Sequence, residues 1–365
     1  KDTWVSAVKD EQYGNNGAAS RLKLKGQQEF ALIDFDPLTL MGVVIEKAVL
    51  HVRSSTPVDA PIMRLGASTI ASPWEEGNGT RYRREVGSAC FSQAYYKKRD
   101  LAYPVSTVLD AVFGKGQTRW CFSDCTPPDS GGWQACAVQP EVLAARVAGI
   151  SHGIGLFDEV GSEWSLKNGQ FQYYHYPNRF LYSRESRSGP WLEVRVAEID
   201  RTPPEPIDHI EVQTKGLPGG EALCLWDTPR DRGGGKTLGF HVAYEKNGKT
   251  YPVPRYLIPM ALLPGQPVRM HLQDLDLAPG ERIILHIQPV DSAGNVGAVT
   301  SKSFSLAGEG TFPAFDERFT AAPFGTNTIS GPSGNAIVVL DLLDKVDPVT
   351  GNLIPSGRSA SAGES

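Results

Sequence analysis

Apolar and polar positions alternate in short runs over the first two hundred residues. Leu22-Lys23-Leu24 and Ile33-Asp34-Phe35 place every second side chain on one face. Gly-Asn clusters such as Gly14-Asn15-Asn16-Gly17 separate the runs. Period-two alternation bounded by turn residues predicts half-buried strands. The same reading predicts strands at 2–5, 45–52, 62–65, 150–157 and 191–196. Two helices of under three turns are predicted. One spans 107–113, capped by Ser106 and ended by Gly114; the other spans 141–148, opened by Pro140 and ended by Gly149. Helices this short decorate a sheet rather than form a layer.

After the proline-rich break Asp200-Arg-Thr-Pro203-Pro204-Glu-Pro206, strands are predicted at 210–212, 222–226, 239–244, 268–270, 283–287 and 302–306, a spacing that suits a second sandwich. From Gly308 the pattern fades into Gly, Pro, Ser and Thr. One apolar strand, 336–340, follows and leads into Asp341-Leu-Leu-Asp344. With nothing to pair with in its own segment, it is expected to dock on a sheet edge, to pair with a partner chain through 336–344, or to open a further domain.

The chain has 365 residues, room for two or three domains. Its 38 Gly and 27 Pro, with only 21% charged residues, suit an all-β protein rich in turns. A net charge of −5 excludes a broad basic field for nucleic acid. No apolar run approaches the roughly 18 residues of a membrane span. Beginning at Lys1 inside a strand-forming stretch, the sequence reads as a processed mature protein, and an extracellular location is expected. Four of the five cysteines, Cys90, Cys121, Cys125 and Cys136, cluster in sequence. Two disulfides in any of three pairings, free thiols, or a zinc site are the alternatives; the zinc spacing is poor because Cys121-x-x-x-Cys125 has no matching knuckle. Cys224 reads as a buried thiol in an apolar strand.

The order of Asp2-Thr3-Trp4-Val5, Gln12-Tyr13-Gly14, a strand closing on Phe35-Asp36, and Ile45-x-x-Ala48-x-Leu50 resembles the opening of DNRLRE-type modules, a class of secreted jelly-roll carbohydrate-binding modules. Gln12 departs from that pattern. A Trp74-Glu75-Glu76-Gly77 stretch, and Ser183-Arg184-Glu185 followed by Pro190-Trp191-Leu192-x-Val194, extend the resemblance to about residue 197. Further on, Trp226 in a second strand, Tyr244 in a third, and the Asp291-Ser-Ala293-Gly294-Asn295 hairpin resemble a fibronectin type III domain over about 205–307. The expected fold is therefore all-β: a jelly-roll β-sandwich at 1–197, a linker at 198–204, an immunoglobulin/fibronectin-like β-sandwich at 205–307, and an extended tail at 308–365.

Catalytic sets are missing from the sequence. It has no Walker loop, no Gly-x-Ser-x-Gly elbow and no His-Glu-x-x-His. Asp34 and Asp36, two apart on a strand, read as loop-tying, and His152 and His175 as packed or surface residues. Sugar recognition is the sharper expectation, because aromatic rings stack on pyranose faces while carboxylates, amides and guanidinium groups hold hydroxyls. Trp74, Trp133, Trp164 and Tyr174, in loops or at edges, are the candidate platforms, with Glu163 and Arg179 as polar partners. Trp4, Trp120 and Trp191, being in strands, read as core. The resemblance also implies a structural calcium, with Asp2, Asn15 and Glu193 as ligands if the first and last strands pair; no other cofactor is expected. Non-catalytic polysaccharide or glycan binding is the leading expectation. The rivals are a structural subunit of an extracellular assembly and an accessory fragment of a larger secreted enzyme.

Overall fold

The computed structural model describes residues 1–26, 28–55, 61–93, 118–158 and 178–307, with the backbone of strand segments at 162–167, 170–175, 327–330, 336–339, 345–346 and 353–354. The first strands are β1 (Asp2–Ser6), β2 (Arg21–Leu24), β3 (Glu29–Ile33), β4 (Val43–Arg53), β5 (Arg64–Thr69), β6 (Trp120–Asp124), β7 (Trp133–Val138) and β8 (Ile154–Asp158). Next come β9 (Ser162–Lys167), β10 (Gln170–His175), β11 (Arg179–Tyr182) and β12 (Trp191–Ile199). Then follow β13 (Glu211–Gln213), β14 (Ala222–Asp227), β15 (Thr237–Lys246), β16 (Lys249–Pro252), β17 (Pro267–Leu272), β18 (Arg282–Asp291) and β19 (Thr300–Ser305). Four short strands end the series, β20 (Asn327–Ser330), β21 (Ala336–Val339), β22 (Lys345–Val346) and β23 (Leu353–Ile354). The protein is an all-β sandwich protein, as the alternation predicts.

Contacts divide the chain into two compact units. One comprises Lys1–Ile210, Trp226–Met270 and Ile284–Ser303; the other comprises Glu211–Leu225, His271–Ile283 and Phe304–Ser365. Within the first unit, a five-stranded antiparallel sheet runs β1-β3-β8-β5-β6, and a three-stranded sheet runs β12-β4-β7. Ala31, Ile33, Ala67 and Leu156 from the first sheet share an apolar cluster with Ala48, Leu50, Val52 and Val138 from the second. The opposite face of the five-stranded sheet, through Val5, Phe30, Leu32 and Phe157, is covered by Ile70, Trp74 and Phe91. Coverage on both faces explains why β1, β3 and β8 are buried at every position. In β2 the alternation persists, with Leu22 and Leu24 inside.

The helix α1 (Pro140–Val147) begins at the proline, whose missing N–H is no loss in a first turn. Gly149, at φ 69°, follows its end. Val142, Leu143, Ala145 and Val147 are buried among side chains that include Leu238 of β15 and Val290 of β18. The helix predicted at 107–113 lies outside the described residues. In the sequence predicted to form a second sandwich, the sheets run β13-β14-β17 and β16-β15-β18-β19.

Two expectations need correction. The apolar strand of the tail does find a partner in its own segment, since β21 pairs antiparallel with β20, with Thr328 opposite Val338. The sequence between them, Gly-Pro-Ser-Gly-Asn, has turn composition. Nothing in this pairing supports a partner chain through 336–344. Of the four clustered cysteines only two are joined. Cys125 and Cys136 face each other across an isolated bridge, their Cα atoms 4.5 Å apart, and form a disulfide. Cys90 and Cys121 are buried free thiols, and burial raises the pKa of both.

One side chain, Asn15, makes four of the bonds that hold the covering loop. Asn15 is 1% exposed. Its Nδ2 donates to Glu76 O at 2.7 Å and to Ala89 O at 2.9 Å; its Oδ1 accepts from Gly17 N at 3.1 Å and Gly79 N at 2.8 Å. A Cβ on Gly17 would stand 2.1 Å from Glu76 O, and one on Gly79 2.6 Å from Asn15 O, so only glycine allows this approach. Asn15→Ala leaves four main-chain groups without partners. Each such buried group costs about 1 kcal/mol or more, so urea unfolding should show a loss of about 4 kcal/mol or more.

Candidate functional site

β4 lies between β12 and β7, and its register sets three rings on one face. His51 stands opposite Trp191, and Arg53 opposite Trp133. The His51 and Trp191 rings stack at 3.8 Å with 3° between their planes. Trp133 meets Trp191 edge to face, 6.5 Å away at 66°. His51 Nε2 lies 3.0 Å from Glu193 Oε2. Arg53 Nε donates to Gly131 O at 2.7 Å and Nη1 to Ser188 Oγ at 2.7 Å, with the guanidinium 5.5 Å from the centroid of the Tyr182 ring. Trp191 is 48% exposed and Trp133 is half-buried. A partly exposed indole pair bordered by an imidazole, a carboxylate and a guanidinium can stack on a ring and bond its hydroxyls.

Trp191 therefore contradicts its assignment to the core. β12 alternates strictly at its start, with Leu192 and Val194 packed inward and Trp191 and Glu193 outward. Trp120, on edge strand β6, is also 48% exposed, its ring 4.9 Å from Phe122. A signal for Trp191 was present in the sequence: it shares the period-two phase of Glu193 and Arg195.

The other sequence candidates divide. Trp74 is 1% exposed; its Nε1 donates to His152 O at 2.9 Å and the Lys1 Nζ sits 4.4 Å above its ring, so it packs and cannot serve as a platform. Arg179 is likewise buried, 3.4 Å from Asp158, and anchors the fold instead of facing a ligand. Glu163, Trp164 and Tyr174 lie on the β9–β10 hairpin, where Glu163 is opposite Tyr174 and Trp164 opposite Tyr173; their side chains are outside the described residues.

The calcium set does not assemble. β1 pairs with β3 and β12 with β4, so the first and last strands never meet, and Glu193 instead contacts His51. Asn15 is fully occupied by its four main-chain partners. Another carboxylate group forms beside Asp2. Asp2, Glu76 and Glu185 offer oxygens within 4.8 Å of one another. The Asp2 amide donates to Glu76 Oε1 at 2.5 Å, and Asp2 Oδ2 accepts from Arg184 N at 2.8 Å. Arg184 Nη2 also donates to Glu76 Oε2 and Glu185 Oε1. Asp2 Oδ1, on a residue 4% exposed, is buried without a hydrogen-bond partner. An orphaned carboxylate oxygen beside two further carboxylates is a donor set that fits a hard cation such as calcium. A second acidic group, Asp200, Asp231 and Asp291, ties turns: Asp291 Oδ1 accepts from Ala293 N and Asn295 N, and Asp200 Oδ2 from Gly235 N.

No protein-family model and no curated protein matches the chain. Among solved structures, it is similar to a human FNIII domain at 20% identity, covering 32% of this chain and 90% of that one, with a TM-score of 0.23. It is also similar to the PKD domain of an M14-like peptidase from a Thermoplasmatales archaeon, at 14% identity, 29% and 98% coverage, and a TM-score of 0.21. A third is a β-1,2-glucanase from Parabacteroides distasonis, at 10% identity, 87% and 37% coverage, and a TM-score of 0.23. At these TM-scores the likeness carries no weight for architecture or activity. Among the described residues no helix is long and apolar enough to cross a membrane.

Burial, then the neighbouring Glu185 and Glu76 carboxylates, raise the Asp2 pKa from 3.8 to about 6, against the Arg184 backbone bond that lowers it. The folded state thus binds the extra proton. The stability linked to that proton is complete below 3.8 and is lost as pH rises through about 6. In metal-free buffer, the difference in unfolding free energy between the parent and Asp2→Asn should shift against the parent as pH rises through this window. Denaturant titration at several pH values measures it.

Proposed function

We propose that this protein is a non-catalytic carbohydrate-binding region of an extracellular protein, and that Trp133, Trp191 and His51 form its sugar platform. The observation that carries this reading is the partly exposed Trp133–Trp191 pair on the β12-β4-β7 sheet, with Glu193 and Arg53 at its border. Indoles held on strands offer large apolar area at little entropic cost, which is how a shallow face holds a pyranose. The DNRLRE-type resemblance over 1–197 and the Cys125–Cys136 disulfide support an exported binding module. The fibronectin-like stretch at 205–307 then serves as its companion domain.

In this reading Asp2, Glu76 and Glu185 would hold a calcium ion. Bound there, the ion supplies positive charge that relieves the repulsion among the three carboxylates. Its role is structural: it ties the start of β1 to the covering loop and to the turn after β11.

A polysaccharide and glycan array, followed by isothermal titration of the best ligand, tests the platform. Trp191→Ala and Trp133→Ala should each weaken binding about tenfold or more, equivalent to about 1.4 kcal/mol, with unchanged circular dichroism. No binding to any arrayed glycan at millimolar concentration would remove the proposal and leave a structural subunit as the better reading. Calcium at ten times its dissociation constant should raise the melting temperature by about 2 °C, an effect that chelator reverses and Asp2→Ala abolishes.

A further inference from the structure

A cleft of about 520 Å³ opens beside the end of α1. Segments 71–73 and 149–152 form one wall; β15, β18 and the 3-10 turn Arg255–Leu257 form the other. Ile150, Phe240 and Tyr256 supply apolar surface, and Arg255, His241 and His286 supply nitrogen groups. None of the lining residues is an aspartate or a glutamate.

Arg255 is the centre of this cleft. Its Nη1 donates to Phe240 O at 3.2 Å, and its Nη2 to Ile258 O at 2.6 Å and Pro259 O at 3.3 Å. These acceptors are neutral, and among the described residues no carboxylate pairs with the guanidinium. Burial lowers its pKa to about 9. A half-buried cation held by carbonyl dipoles and by the Met260 sulfur, 3.5 Å from its Nη2, has no opposite charge beside it and so favours an incoming anion. The imidazoles register the same field. Burial and then Arg255 lower the pKa of His241, while its hydrogen bond with the Ala148 backbone raises it. Burial, Arg146 and Lys1 lower His152 to about 4, with Asp34 opposing and Arg255 adding to the shift. His286 is held by Ser301 Oγ at 2.8 Å, and its Nε2 lies 3.7 Å from Glu245.

We propose that this cleft binds the carboxylate of a small organic anion, with Arg255 as its counter-charge and the His241 and His286 imidazoles on the adjoining wall. The volume suits a ligand of about monosaccharide size, and the apolar wall suits a ring or short hydrocarbon body. A free carboxylic acid and the terminal uronic acid of an acidic glycan present the same group. The inference rests on the cleft alone and does not depend on the indole platform.

Isothermal titration of the whole chain with sodium glucuronate, sodium acetate and glucose tests it. Glucuronate should bind and glucose should not. Acetate binding as tightly as glucuronate identifies a simple carboxylate site; glucuronate binding alone identifies a sugar acid. Arg255→Met should weaken binding about tenfold or more. Because Arg255 also holds three carbonyls, Ala243→Glu provides a second variant: it adds a carboxylate to the half-buried cleft wall and should abolish binding with the fold intact by circular dichroism. Trp191→Ala should bind glucuronate as the parent does. Glucose binding as well as glucuronate, or Ala243→Glu retaining full affinity, would overturn the proposal.

Discussion

The register of β4 between its two neighbours is the constraint on which the functional face depends. Side chains on a strand alternate, so a slip of one residue moves a whole set from one face to the other. With Leu50 and Val52 in the core, His51 and Arg53 must point outward, and pairing then brings Trp191 beside His51 and Trp133 beside Arg53. A slip of β12 by one position would bury Glu193 and expose Leu192. The burial that stabilises the sandwich is therefore the same physical effect that keeps the two indoles outside it.

The five-stranded sheet solves a different problem. Both of its faces are apolar, so a sandwich partner on one side is not enough. The loop carrying Ile70, Trp74 and Phe91 closes the second face, and that loop brings main-chain polar groups with it. Asn15 satisfies four of them. Asn16 adds a bond from its Nδ2 to Trp4 O at 3.3 Å and accepts from Tyr82 N at 3.0 Å. Closing the face in this way also delivers Glu76 to Asp2, 74 positions earlier in the chain. The carboxylate group beside Asp2 is thus a by-product of covering the sheet, and a cation there would reinforce the same closure.

Local pattern was readable from the sequence; contact between distant segments was not. The alternation at Leu22–Leu24, the proline-started helix α1, and the strands β14, β15, β17 and β18 all lie where periodicity and turn residues place them. Trp191 lies in a strand yet is exposed, because a strand has two faces and its phase with Glu193 and Arg195 is the outward one. Trp74 is the opposite case: a Gly-rich neighbourhood suggests an exposed loop, but this loop covers a sheet. The Cys125–Cys136 pairing and the meeting of Asp2, Glu76 and Glu185 depend on strand order, which no local pattern encodes. Arg255 was invisible because its significance lies in the missing carboxylate around it.

The most direct measurement of the central claim resolves the indoles one by one. In a nitrogen-15 spectrum of the intact chain, the indole N–H signals would be assigned by single Trp→Phe variants and followed during titration with a glycan that binds. The account predicts that the Trp133 and Trp191 signals shift in proportion to saturation, while those of the buried Trp4, Trp74 and Trp226 stay in place. Saturating glycan that leaves both the Trp133 and Trp191 signals unmoved would contradict it.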